Sequence, residues 1–539
     1  MTDTQLKYFN KLRVIHLRLS ESLKDPRING VNSVISNLYR DDAHFVYELL
    51  QNADDQRATY AKFILKKDEV IFVHNAPRHF TITDPDTHEE DKKNGRLGNI
   101  NSILSIASSS KSDRTDEIPI GKFGLGFKSV FLYTDSPCIY DKYIRFSITD
   151  FIVPNLIDCD HPMRQREETL FAFKFKNGEQ TKAYQEIDAK LKSLVNPLLF
   201  LNHLKLINWE NESECGYYRL DRIGQFGTAE RLKYTVANED ERSESELWKF
   251  SRQTLENPKL QISAVFVIED GIISSKTHPL YCYLPTANQT ELPVILHAPF
   301  KLTGNRESIT HSDNHNIKML SELANLLSES LIEICEIGQT SHSPWIKDNI
   351  IDFLPAISDK STNSTSASID LSPIRDAVLE SIHNGRLLWC EQFGEYLSPH
   401  DSCVAENTYL AEIYPSEILE GILGKRRGWV LPSLIGDLKR QNGGKLIKEL
   451  GVERITPDKL LRQITSDFLA QRPIDWLCRW YCYLPKIKNL WEATNLRSQE
   501  IILTSSGVFK SPFTKGKLTP NVYLSCDEIA ECEHKDIFL

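Results

Sequence analysis

The octapeptide Glu48-Leu-Leu-Gln-Asn-Ala-Asp-Asp55 constrains this chain more than any other stretch. It lies in a segment, Gly30 to Ala58, whose apolar residues Val34, Leu38, Phe45, Leu49 and Leu50 recur at helical spacing. Glu48, Asn52 and Asp55 stand at offsets 0, 4 and 7. At about 100° per residue they share one helix stripe. Three polar groups on a stripe are costly to bury without partners. A divalent cation and a water would supply those partners. Magnesium takes hard oxygen ligands, Asn52 offers a carbonyl oxygen, and Glu48 stands where a general base would take a proton from water. A solvated polar face is the competing reading of the same stripe.

A second segment carries phosphate chemistry. Gly121, Lys122, Phe123, Gly124, Leu125, Gly126, Phe127 and Lys128 follow a polar stretch, Ser108–Pro119, and precede the apolar run Val130–Leu132. Three glycines let backbone amides approach an anion closely. A helix opening at Gly126 would turn its positive end toward a phosphate. The segment lacks the Gly-Lys-Ser/Thr ending of a Walker A loop. Its spacing also differs from a dinucleotide fingerprint. A simple chain reversal is the alternative.

The rest of the chain sets the frame. Its 539 residues are enough for about three domains. Apolar residues are 40% and charged residues 26%, a globular balance. The net charge of −10 gives no global attraction to nucleic acid or to an anionic membrane. No apolar run approaches the roughly 20 residues of a membrane span, and the N-terminus lacks a signal-peptide pattern. Eleven cysteines without paired CxxC spacing fit a reduced, cytoplasmic setting. Cys478 and Cys482, four apart in an aromatic helical stretch, read as buried thiols.

Helix is expected over residues 5–60, then strands at Ala61–Leu65, Val70–His74, Ile144–Ile148 and Leu170–Phe175. Thr83–Leu97 reads as a loop. The order of elements predicts an α+β fold: an N-terminal two-layer α/β sandwich over residues 1–182, a mixed α/β middle domain over 183–340, a linker over 341–371 and a helix-rich domain over 372–539 with a β-like tail from Glu500. Lys425, Arg426 and Arg427 head the one basic concentration. It reads as a solvated helical face, with a nucleic-acid surface as the alternative.

The octapeptide and the glycine segment, in this order, resemble the N-box and second glycine box of the Hsp90-like (GHKL) ATPases. The wording ELLQNADD (48–55) and GKFGLGFKSVF (121–131) is most similar to sacsin-type and NO VEIN-type ATP-binding domains. The resemblance implies a Bergerat-type sandwich that binds ATP and Mg²⁺. It implies Glu48 as the catalytic carboxylate, Asn52 as the Mg²⁺ ligand, Asp55 as a pocket acid, and Gly121–Lys128 as the phosphate-binding hinge of a lid. Asn75 falls where the family has the adenine-recognising Asp, and Ala76 where it has Gly. An Asn carbonyl still accepts that bond but loses its charge-assisted part, about 1 kcal/mol. Ser109 and Lys111 lie in SIASSSK (105–111), which resembles the start of the family's lid, and Thr169 matches a strand Thr near the adenine edge. YCYLPT (281–286) and HAPFKLTGNRESI (297–309) resemble the segment that follows this domain in such proteins, with Arg306 as the γ-phosphate sensor. An Arg306–Glu307 ion pair is the alternative.

The implied activity is a slow ATPase whose lid closure switches conformation, with a homodimer expected. Three functions follow: a chaperone-like ATPase acting on a client protein, the ATPase part of a nucleic-acid-linked defence or repair system, and a nucleotide-binding scaffold that does not hydrolyse.

Overall fold

The computed structural model describes residues 1–23, 43, 45–105, 126–303, 308–310, 313–356, 369–434, 441–487, 495–514 and 519–522. The chain is α+β and divides into two compact units. The first is Met1–Leu326 with Pro355–Pro373; the second is Leu327–Leu354 with Ile374–Leu539.

The first unit opens with helices α1 (Asp3–Leu23) and α2 (Phe45–Asp55). Strands β1 (Tyr60–Leu65) and β2 (Glu69–His74) follow as an antiparallel pair. Short helices α3 (His88–Lys93) and α4 (Asn99–Leu104) precede β3 (Cys138–Tyr140), β4 (Arg145–Thr149), β5 (Val153–Leu156) and β6 (Thr169–Lys174). After α5 (Gln180–Lys192) come β7 (Leu206–Glu210), β8 (Cys215–Phe226), β9 (Ala229–Asn238), β10 (Arg242–Gln253), β11 (Gln261–Glu269) and β12 (Ile272–Ile273). β13 (His278–Cys282), β14 (Leu284–Leu292) and β15 (Ile295–His297) complete the strands, and α6 (Asn314–Ser341) follows, its residues from Leu327 counted in the second unit. The expected boundary at 182/183 lies inside α5.

These fifteen strands, among the described residues, form one mixed sheet in the order β14-β13-β15-β11-β10-β9-β8-β7-β1-β2-β6-β3-β4-β5, with β12 paired to β11. The early strands bury nearly continuous apolar runs because both their faces are covered. Phe63, Phe72, Phe171 and Phe173 point toward the helices and join Leu49, Leu50 and Ala53 of α2 in the main core. Ile64, Ile71, Val73, Leu170 and Ala172 alternate with them and cluster on the opposite face.

The join between the two strand sets is the parallel pair β1–β7, with Tyr60 opposite Leu206. Parallel neighbours need a long crossover, so the entry to each strand must be held separately. Asp54 holds β7: its buried carboxylate accepts from the backbone N–H groups of Asn202 (2.9 Å), His203 (2.7 Å) and Leu204 (2.8 Å). Asn75 holds β1 through Thr59 and Tyr60, as described below.

The segment Thr83–Leu97 is not the loop expected from its polarity. Pro85–Thr87 forms a 3-10 turn that runs into α3. Asp84 caps the turn by accepting from Asp86 N, and Pro85 stands at its first position. Glu89, Glu90 and Asp91 then precede Lys92 and Lys93, the charge order that a helix dipole favours. A polar composition therefore concealed good local helix signals.

In the second unit, Trp476 and Trp480 stack at 5.9 Å inside a core with Tyr414 and Trp429. The indole N–H groups of Trp476, Trp480 and Trp429 donate to Ile413 O, Tyr414 Oη and Tyr414 O. Residues 502–503 and 509–510 pair as a short hairpin within the expected β-like tail. Within residues 341–371, read as linker, Asp348–Phe353 is a 3-10 turn that buries Ile350 and Phe353, while 357–368 lie outside the described residues. Cys478 and Cys482 are exposed, which corrects the expectation of buried thiols. The tryptophans take the inward face of their helix and leave the cysteines outside. No described helix is long and apolar enough to cross a membrane.

Candidate functional site

The helical phase expected for the octapeptide is realised in α2. Glu48 is buried at 4% exposure, and Asn52 and Asp55 are half-buried, so the stripe does not face bulk solvent. α2 packs against the 3-10 helix Gly126–Leu132, which leaves the glycine segment. Phe127 seats this turn, with its ring 6.1 Å from Phe171 and 6.4 Å from Phe173. Tyr133, just beyond, lies 5.3 Å from the Phe45 ring, accepts from Ala43 N and donates to Glu186. The octapeptide helix and the end of the glycine segment, from Gly126, thus meet on the helix-facing side of the sheet. The helix expected at Gly126 is present, wound as a 3-10 helix. Ser109, Lys111, Gly121, Lys122, Phe123, Gly124, Leu125 and Arg306 lie outside the described residues.

Lys128 is placed differently from a phosphate ligand. It is 2% exposed, and its ammonium donates to the carbonyl of Phe151. Burial lowers its pKa to about 7. Asp150 and Phe151 adopt left-handed φ values of 48° and 64° in the β4–β5 connection. Ser20 of α1 donates to Asp150 Oδ2 at 3.1 Å, and the Phe131 ring lies 4.6 Å from Phe151. Lys128 therefore ties the exit of the glycine segment to a strained turn.

Asn75 also has a structural task. Its Oδ1 accepts from Thr59 N (2.9 Å) and Tyr60 N (3.1 Å), and its Nδ2 donates to Thr59 Oγ1 (2.7 Å). Both carbonyl lone pairs are engaged. The oxygen expected to meet an adenine amino group instead fixes the entry to β1.

Sequence reasoning missed the polar cluster beside Thr169. Thr169 is 1% exposed, and its hydroxyl donates to Asp141 Oδ1 at 2.8 Å. His79 Nδ1 lies 3.0 Å from the same oxygen, so that nitrogen carries the proton. Strand register explains the meeting: His74 pairs with Thr169 across β2–β6, and Tyr140 pairs with Leu170 across β3–β6, which brings Asp141 level with Thr169. His74 is buried, and its Nδ1 accepts from Ala76 N. Burial lowers its pKa to about 4, so the ring is neutral. Only the pairing of β3 with β6, invisible in local sequence, reveals this cluster.

Within the basic concentration, Lys425–Arg427 form a connection between a helix and a strand, whereas Lys445 and Lys448 are exposed on the helix Gln441–Glu449. Arg426 pairs with Glu395 at 2.6 Å, and Arg427 is buried against Glu453 and Ser402 O. Two of its charges are thus met internally. Lys439 and Arg440 lie outside the described residues.

Fold and site together define an α+β chain whose polar helix stripe lies against a glycine-derived turn on a mixed sheet. Residues 27–196, which contain α2, the Gly126–Leu132 turn and strands β1–β6, match the Sacsin domain family. Over 355 residues the chain is 24% identical to Protein NO VEIN of Arabidopsis thaliana, an alignment covering 60% of this chain and 12% of that protein. Over 406 residues it is 22% identical to human Sacsin, covering 57% of this chain and 9% of that protein. The chain therefore spans about a tenth of the length of these relatives.

Proposed function

We propose that this chain binds ATP with Mg²⁺ and hydrolyses it slowly in an Hsp90-like (GHKL) site, using the nucleotide cycle as a conformational switch of chaperone-like type. The observation that carries the reading is the packing of α2, with Glu48, Asn52 and Asp55, against the turn that leaves the glycine segment. The match of residues 27–196 to the Sacsin domain supports it.

A hard cation would fit here: half-buried Asn52 would offer its carbonyl oxygen to Mg²⁺, and Asp55, half-buried on the same stripe as buried Glu48, would line the nucleotide pocket. Mg²⁺ bound there would supply charge neutralisation on the phosphates. Glu48 would accept a proton from the attacking water. The amides of Gly121–Gly126 would hold phosphate oxygens, and Lys128 would anchor that loop rather than touch them. With the Asn75 oxygen engaged, base recognition would fall to Thr169. Its hydrogen goes to Asp141, so its oxygen presents only acceptor lone pairs. Such an acceptor favours an amino-bearing adenine over the keto edge of guanine. Arg306 would sense the γ-phosphate.

Calorimetric titration with ATP, ADP and GTP, with and without Mg²⁺, tests this reading. Mg²⁺-dependent ATP binding with GTP at least about tenfold weaker is expected, a difference of about 1.4 kcal/mol. No binding of any nucleotide would overturn it.

A further inference from the structure

The helix Ile474–Tyr483 buries Trp476, Leu477, Trp480 and Tyr483 and turns its other face to solvent. On that face Cys478 and Cys482 are both exposed, one helical turn apart. No other two of the eleven cysteines stand within four positions of each other. We propose that this pair is a two-thiolate binding site for a soft monovalent cation of the Cu(I) type.

Helix geometry selects this chemistry over a disulfide. Residues four apart on a helix hold their Cβ atoms about 5–6 Å apart. A disulfide needs roughly 3.5–4.5 Å. Oxidation would therefore distort the turn that the buried hydrogen bonds of Trp476 and Trp480 hold in place. A bridging cation lengthens the link between the sulfurs and removes the conflict. Soft thiolates select Cu(I), which two ligands satisfy. Among the described residues no group of three or more His, Cys, Asp or Glu side chains gathers to hold a metal, so the four ligands of structural zinc are lacking.

The step balances without an oxidant. Each thiol gives its proton to solvent, two sulfur–metal bonds form, and the complex carries one net negative charge. Arg479 stands between the cysteines, and Lys486 stands one turn beyond Cys482 with its ammonium 4.9 Å from the Tyr409 ring. These cations oppose the charge of the complex, while Asp475 adds to it. Burial raises the thiol pKa values of Cys335, Cys390 and Cys403, so these stay protonated and do not compete.

The test uses the reduced full chain under argon with Cu(I) buffered by bicinchoninate. At one equivalent, mass spectrometry after iodoacetamide should show labelling of Cys478 and Cys482 falling together, by about tenfold or more, because only free thiolate reacts. Cys478→Ser and Cys482→Ser should each lose one chelator-resistant equivalent. Cys159→Ser with Cys215→Ser should keep it. Unchanged labelling, protection of one cysteine alone, or full Cu(I) uptake by the double Cys478→Ser/Cys482→Ser variant overturns the proposal. The labelling arm uses the unmodified chain and does not depend on a variant folding.

Discussion

Asp54 and Asp55 are neighbours in sequence but face different surroundings on α2. Asp54 is 1% exposed and accepts three backbone N–H groups from the entry to β7, whereas Asp55 is half-buried on the stripe with Glu48 and Asn52. Asp54→Ala would leave three buried donors without an acceptor. It should lower stability by about 3 kcal/mol or more, read as a fall in the urea midpoint at unchanged slope. Asp55→Ala should change stability by less than about 1 kcal/mol and weaken nucleotide binding. Equal stability losses would show that the two acids had been given the wrong tasks. Lys128→Met separates anchoring from phosphate contact. ATP affinity within about twofold of the unaltered chain supports anchoring; a tenfold loss or more would mean that the ammonium reaches the phosphates after all. Helix phase alone singled out Glu48, Asn52 and Asp55. The task of Asp54 was hidden, because its partners lie near residue 203.

At the scale of elements, strands that bury continuous apolar runs were legible: Ala61–Leu65, Val70–His74 and Leu170–Phe175 fall on β1, β2 and β6 within a residue. The parallel join of β1 to β7 was not, because periodicity says nothing about which strands become neighbours. The same blindness concealed Asp141, which register alone brings beside Thr169. Beyond the join, Gly216 of β8 pairs with Trp209 of β7. A Cβ there would lie 2.5 Å from the indole and 2.6 Å from Ala237 O. Gly216→Val should displace Trp209, cost about 1–3 kcal/mol and shift tryptophan emission to the red. An unshifted spectrum with unchanged stability would show that the strands have more room than this register allows.

Across the whole molecule, burial sets a direction for pH dependence. His16 and His74 have pKa values lowered to about 4, by desolvation first, from an ordinary 6.5. Between those values the unfolded chain binds protons that the folded chain does not. Stability therefore rises with pH through this window and is lost as pH falls from about 6.5 toward 4. His74→Gln keeps a neutral acceptor for Ala76 N and should flatten part of that slope, measured by thermal melts across the window. A slope unchanged in the variant would place the acid sensitivity elsewhere. The α+β class was legible from the order of elements; the extent of one sheet through Met1–Leu326 was not, since long strands such as β8–β10 carry alternating charges that look like surface. The central claim is that the α2 stripe turns over a nucleotide held at the glycine segment. Its most direct test compares Glu48→Ala with the unaltered chain for Mg²⁺-dependent ATP affinity and for phosphate release. The account predicts binding within about threefold and turnover reduced by about 100-fold or more, the scale of a lost general base. Turnover that survives the substitution would contradict it.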